Sequence, residues 1–104
     1  MEYDFHKVEI ESRVGWVELN RPPVNATSWD MLHEHLAVFE RVTADPAVRV
    51  VVVASALERY FSAGADLEVF RGIGADGMRE WLGVCHRIVR VLRGSEKPLL
   101  AAIP

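Results

Sequence analysis

Between Val48 and Ala54 the chain reads Val-Arg-Val-Val-Val-Val-Ala, a β-branched run broken by a single charge. Valines are stiff at χ1 and pack well on a pleated surface, and near-continuous apolarity suits a strand covered on both faces. Such strands are usually parallel and internal, and parallel neighbours are joined through long, mostly helical crossovers. The run therefore asks for helices on both sides of it in sequence and for further strands beyond them.

The flanking sequence meets that demand. Val8 and Ile10 alternate with Lys7, Glu9 and Glu11, as in a strand with one wet face, and Val14 to Leu19 is β-branched and aromatic. With the Ser12-Arg13 break between them, the two segments predict an antiparallel hairpin. Asn20 to Asn25 contains Pro22 and Pro23, which fix φ and lack N–H donors, so a rigid loop follows. Thr27 with Asp30 resembles a capping box, and Trp29, Leu32, Leu36 and Phe39 recur at helical spacing, predicting a helix from about Ser28 to Thr43. Met78, Trp81, Leu82, Cys85, Ile88, Val89 and Leu92 fall on one stripe of a second helix, from Asp76 to about Arg93, stopped by Gly94. Lys97 to Pro104 opens another apolar, buried-type strand. The order strand, strand, helix, strand, helix, strand is an α/β pattern, and the late strand suggests a chain that continues.

Several classes of function are disfavoured. A formal charge of −3 offers no basic face for a phosphate backbone, so nucleic acid is not expected as a partner. Uninterrupted apolar runs such as Val50 to Ala54 are far short of the roughly 20 residues that cross a bilayer. Met1 to Glu11 lacks the pattern of a signal peptide and Cys85 has no second cysteine to pair with, so a soluble, cytoplasmic protein without membrane contact is expected. His33 and His35 are two apart on a helix and diverge, and His6 and His86 have no ligand at metal spacing; no metal site is expected. Cys85 reads as a small buried hydrophobe, and Trp29 and Trp81 as core.

Two loops remain. Phe61-Ser62-Ala63-Gly64-Ala65-Asp66-Leu67 places small residues ahead of an acidic one. Small side chains let a ligand carbonyl approach the main chain, Gly64 permits unusual dihedrals, and a helix starting near Ala65 would aim free N–H groups at developing negative charge, with Asp66 in its first turn. That is what an oxyanion hole requires. The same residues also make an ordinary tight strand-to-helix turn, which is the commoner use of such a sequence. Arg21, beside the double proline, is the best single cation for a phosphate or else a solvated loop residue. Glu58, Asp66, Glu68 and Asp76 surround the small-residue loop, and spacing singles out none of them as a catalytic carboxylate.

Taken together, Leu19 to Ala26, Val48 to Val52, Phe61 to Leu67 and Lys97 to Ile103 resemble the crotonase family, the enoyl-CoA hydratase/isomerases. The resemblance implies an α/β, crotonase-like spiral of strand-strand-helix units, incomplete in this chain, with 1–104 as the amino-terminal part of one such domain. It implies an enzyme of acyl-CoA thioesters, foremost a 2-enoyl-CoA hydratase. The alternatives are an isomerase, decarboxylase or thioester hydrolase of the same fold, or a non-catalytic acyl-CoA-binding subunit. By matching position, the N–H of Ala65 is one oxyanion donor, while Arg21, Pro23, Val24, Ala26, Ala63, Gly64, Asp66 and Leu67 line the coenzyme A path. No permanently bound cofactor is implied; coenzyme A arrives as part of the substrate. The glycine-rich turn with the second donor, and the acid-base carboxylates, are expected beyond Pro104, leaving 1–104 inactive alone. Family members commonly form trimers or pairs of trimers.

Overall fold

The computed structural model describes residues 2–104. Strands β1 (His6–Glu11) and β2 (Val14–Leu19) lead to helix α1 (Trp29–Ala44), strand β3 (Val50–Ser55), a one-turn 3-10 helix (Leu67–Phe70), helix α2 (Ala75–Gly94) and strand β4 (Leu99–Ala101). The sheet order is β1-β2-β3-β4. β1 pairs antiparallel with β2, and β3 lies parallel to both β2 and β4, so the valine run is internal and parallel as its composition demands. Ser12 and Arg13 both take positive φ, 52° and 66°, and close β1 onto β2 as a two-residue turn whose twist suits a hairpin.

Helix α1 starts one residue later than the capping-box reading placed it. Ser28, not Thr27, is the N-cap, with its side chain accepting from Met31 N at 3.2 Å, because Thr27 is engaged elsewhere by its backbone. Val38, Phe39 and Val42 of α1 pack on Val17 and Val51 of the sheet and on Val48 in one core cluster. A second cluster joins the helices to each other: Leu32 and Leu36 of α1 meet Trp81 and Val84 of α2 and Val69 of the 3-10 turn. The Trp81 ring lies edge-on to Trp29 at 5.1 Å and to Phe70 at 5.6 Å; Trp81 is a core residue, while Trp29 is partly buried and packs against the cluster.

The apolar stripe expected on α2 is wider than the face it buries. Trp81 and Val84 are buried, whereas Leu82 and Val89 are exposed, because α1 covers only one side of the stripe. β4 also departs from expectation: Leu99 and Leu100 are exposed, since this strand forms the sheet edge. Val52 stays buried behind its cross-strand neighbours Trp16 and Leu100. Among the described residues no helix is long and apolar enough to cross a membrane.

Candidate functional site

Leaving β2, the chain must turn sharply around Pro22 and Pro23, and the residue that makes this possible is Asn25. It takes φ 55°, a left-handed conformation that asparagine tolerates better than most residues, and it is completely buried. Its Oδ1 accepts from Arg21 N at 2.7 Å, and its Nδ2 donates to Ser55 Oγ at 2.9 Å, to Phe61 O at 2.8 Å and, at longer range, to Leu19 O at 3.4 Å. One side chain thus ties together the end of β2, the end of β3 and the start of the small-residue loop. The sequence reading gave Asn25 no role, although an asparagine just after a double proline was a cue for a left-handed turn.

From there the two loops run side by side. Ala63 N donates to Val24 O at 3.0 Å, Ser62 Oγ to Asn25 O at 2.9 Å, Thr27 N to Gly64 O at 2.8 Å and Asp66 N to Thr27 O at 2.9 Å. The last two bonds make a parallel bridge between Thr27 and Ala65. In extended backbone, polar groups alternate in direction, so when Gly64 and Asp66 face Thr27, the N–H of Ala65 faces the other way. It has no hydrogen-bond partner among the described residues. The N–H groups of Ala63, Gly64 and Asp66 are all engaged, that of Gly64 by Ser62 Oγ at 3.0 Å. Gly64 takes φ 91°, a conformation natural only to glycine, and so sets the direction of the next peptide.

The helix expected to begin near Ala65 is instead the one-turn 3-10 helix from Leu67, with Asp66 as its N-cap accepting from Glu68 N at 3.0 Å. Ala65 is held by the Thr27 bridge, so its free N–H is due to strand-like geometry and not to a helix end. Arg21 is not a bare cation. Its Nη1 donates to Ala26 O at 2.6 Å and to Asp66 Oδ2 at 2.9 Å, clamping one loop to the other. The bond from Glu68 N, with the Arg21 guanidinium behind it, holds the Asp66 carboxyl below its ordinary value. Arg21, Val24, Ala26, Ala63, Gly64, Ala65 and Asp66 are therefore brought together, while Pro23 and Leu67 lie exposed at the margins. Burial pushes the Cys85 thiol up, which suits a packing role and not a nucleophile.

The histidines depart from the reading that left them isolated. His6 Nδ1 lies 2.7 Å from Glu34 Oε1, and His6 Nε2 lies 2.5 Å from His35 Nδ1, because β1 packs beside α1 and joins residues far apart in sequence.

The profile of the family described as enoyl-CoA hydratase/isomerase matches residues 9–104. The chain belongs to that family. It is 30% identical to a crotonyl-CoA hydratase of Syntrophomonas wolfei over 99% of this chain and 40% of that protein, and 34% identical to a probable enoyl-CoA hydratase of Rhizobium meliloti over 99% and 39%. Its structure superposes with TM-score 0.89 on an enoyl-CoA hydratase/carnithine racemase of Magnetospirillum magneticum, at 28% identity over 98% of this chain and 39% of that one. An enoyl-CoA hydratase of Geobacillus kaustophilus matches in fold, with TM-score 0.90 at 22% identity, over 97% of this chain and 38% of that one. The fold is thus the mixed α/β, crotonase type built of strand-strand-helix units, and the chain spans about 40% of the length of these relatives.

Proposed function

We propose that the protein carrying this chain hydrates 2-enoyl-CoA thioesters and that the N–H of Ala65 donates to the thioester oxygen. The observation that carries this reading is the Thr27–Ala65 bridge, which engages the Gly64 carbonyl and the Asp66 N–H on either side of Ala65 and leaves the Ala65 N–H turned the other way. Water adding to the β-carbon of an enoyl thioester moves charge onto the carbonyl oxygen as an enolate, until the α-carbon takes a proton. A fixed donor aimed at that oxygen costs no reorganisation as the charge develops, and losing one such donor typically slows a reaction about 100 to 1,000 fold. Pro23, Val24, Ala26, Ala63, Gly64 and Leu67 are assigned to the coenzyme A path, and the Arg21–Asp66 pair to holding its two walls at a fixed separation. The second donor and the acid-base carboxylates are assigned to segments beyond Pro104, and the working unit to a cytoplasmic trimer or pair of trimers.

The test is turnover of crotonyl-CoA by the protein carrying this chain and by its Ala65→Pro variant. Proline at this position removes an N–H that makes no internal bond, so the fold is expected to survive while turnover collapses. A folded variant with normal turnover would sink the assignment of Ala65. Absence of any turnover or binding of the thioester by the unaltered protein would overturn the function itself.

A further inference from the structure

Glu34, His6, His35 and Thr27 form a single row of side-chain hydrogen bonds ending at the small-residue loop. Glu34 Oε1 to His6 Nδ1 is 2.7 Å, His6 Nε2 to His35 Nδ1 is 2.5 Å, and His35 Nε2 to Thr27 Oγ1 is a long 3.4 Å. His6 and Thr27 are buried, and the backbone of Thr27 holds Gly64 and Asp66.

The chemistry of the groups fixes the direction of every bond in the row. The Glu34 carboxylate already accepts from Asp4 N at 3.0 Å and Phe5 N at 2.7 Å, and an ionised carboxylate can only accept. His6 Nδ1 therefore donates to it. A neutral His6 then presents Nε2 as an acceptor, so His35 Nδ1 must donate, and a neutral His35 presents Nε2 to the Thr27 hydroxyl, which donates in turn. Both histidines are Nδ1–H tautomers, the form a free neutral imidazole favours less. A proton added to the row makes both nitrogens of one ring donors. With His6 charged, His35 must turn Nδ1 into an acceptor and Nε2 into a donor, which reverses the bond to Thr27. With both rings charged, two N–H groups face each other across the shortest contact of the row and it breaks.

We propose that Glu34, His6 and His35 are positioning residues that hold Thr27, and through it the Ala65 donor, and that a proton taken up by the row is felt at Ala65 because it reverses the bond to the Thr27 hydroxyl. This rests on the reading of Ala65 as the thioester donor. The charged group facing the rings is Glu34, from α1. Asp4 contributes only its backbone N–H to that carboxylate, Lys7 lies on the opposite sheet face by strand alternation, and Asp66, beyond Thr27, is occupied by Arg21. Burial lowers the titration of both rings: that of His35 to about 4, with the adjoining His6 adding to the effect, and that of His6 against the opposing pull of Glu34.

Nitrogen-15 NMR of histidine-labelled protein carrying this chain, without ligand, tests the inference. At neutral pH both rings are expected to show the Nδ1–H tautomer, and on acidification the Ala65 amide resonance is expected to shift with the same midpoint as the His35 ring. In Thr27→Val, which removes the hydroxyl but keeps the backbone bridge, the rings should still titrate while the Ala65 amide stops following them. An Nε2–H tautomer in either ring at neutral pH, an Ala65 amide indifferent to the rings, or an Ala65 amide that still follows them in Thr27→Val overturns the proposal. No thioester takes part in this measurement, so its failure is separate from any failure of crotonyl-CoA turnover.

Discussion

Arg21 Nη1 stands 2.9 Å from Asp66 Oδ2 and donates with the same nitrogen to Ala26 O at 2.6 Å, so one guanidinium arm spans the two loops that flank Ala65. The two N–H bonds of this nitrogen lie in the fixed guanidinium plane, which sets the angle between the contacts, whereas the ammonium of lysine rotates freely on a flexible stem. Replacing Arg21 by Ala is expected to lower the urea midpoint of unfolding and to speed amide exchange in residues 61 to 67, with Arg21→Lys restoring only part of the loss. Unchanged exchange across the loop in Arg21→Ala would show that the clamp contributes nothing.

A larger effect is expected at Asn25. Truncation to Ala leaves Phe61 O and the Arg21 N–H without their partner in a partly buried place, while Ser55 Oγ keeps its bond from Leu57 N, and the replacement must still hold a positive φ. Unpaired buried groups cost about 1 to 3 kcal/mol each, so two partly buried ones together with the strain of a positive φ are expected to cost roughly 2 kcal/mol in urea unfolding. A loss under about 1 kcal/mol would mean that the hub is not structural.

Two glycines separate conformation from space. A Cβ on Gly64 or on Gly83 would meet nothing within 4 Å, yet Gly64 has φ 91° and Gly83 lies inside α2. Gly64→Ala is expected to destabilise by roughly 1 to 2 kcal/mol through backbone strain. Gly83→Ala should stabilise by about 0.5 to 1 kcal/mol through helix propensity. Thermal unfolding of both variants checks the pair of signs, and equal signs would contradict the account.

Acid is expected to weaken the fold from about pH 6.5 downward. His35 is held neutral by burial, its titration lowered from 6.5 to about 4. Above pH 6.5 the group is neutral folded and unfolded and has no effect on the balance. Between 6.5 and about 4 the unfolded chain takes up the proton and the native one does not, so stability falls with pH through that window. The full difference is on the order of 3 kcal/mol at one pKa unit per 1.36 kcal/mol. Burial alone would push the Glu34 carboxyl up, but bonds from His6, Phe5 and Asp4 hold it below its ordinary value, so its own loss comes only in stronger acid. Urea midpoints of the protein and of His35→Phe across this range give the check, and parallel curves would refute the role of His35.

Most of the scaffold was legible because it is written in short-range pattern. The valines of β3, the Ser12-Arg13 break and the spacing from Trp29 to Phe39 each encode an element through neighbours a few residues apart. The family was legible from the two loops and the strands around them. What escaped depends on contacts across long separations. His6 meets Glu34 and His35, Asn25 reaches Ser55 and Phe61, and Arg21 reaches Asp66, and no local spacing announces any of these pairs. The same holds for Thr27, whose sequence marked it as a helix cap while the fold uses its backbone to hold Ala65 and leaves the cap to Ser28.

Thr27 and Ser28 are consecutive, one fastening the small-residue loop and the other beginning α1, and this leaves almost no slack between them. A sideways push on Ala65 is therefore borne by a sixteen-residue rod seated on the sheet, not absorbed by a pliant loop. Because α1 is seated through Val38, Phe39 and Val42 well away from the loop, substitutions there are expected to shift the direction of the Ala65 N–H without altering the loop itself.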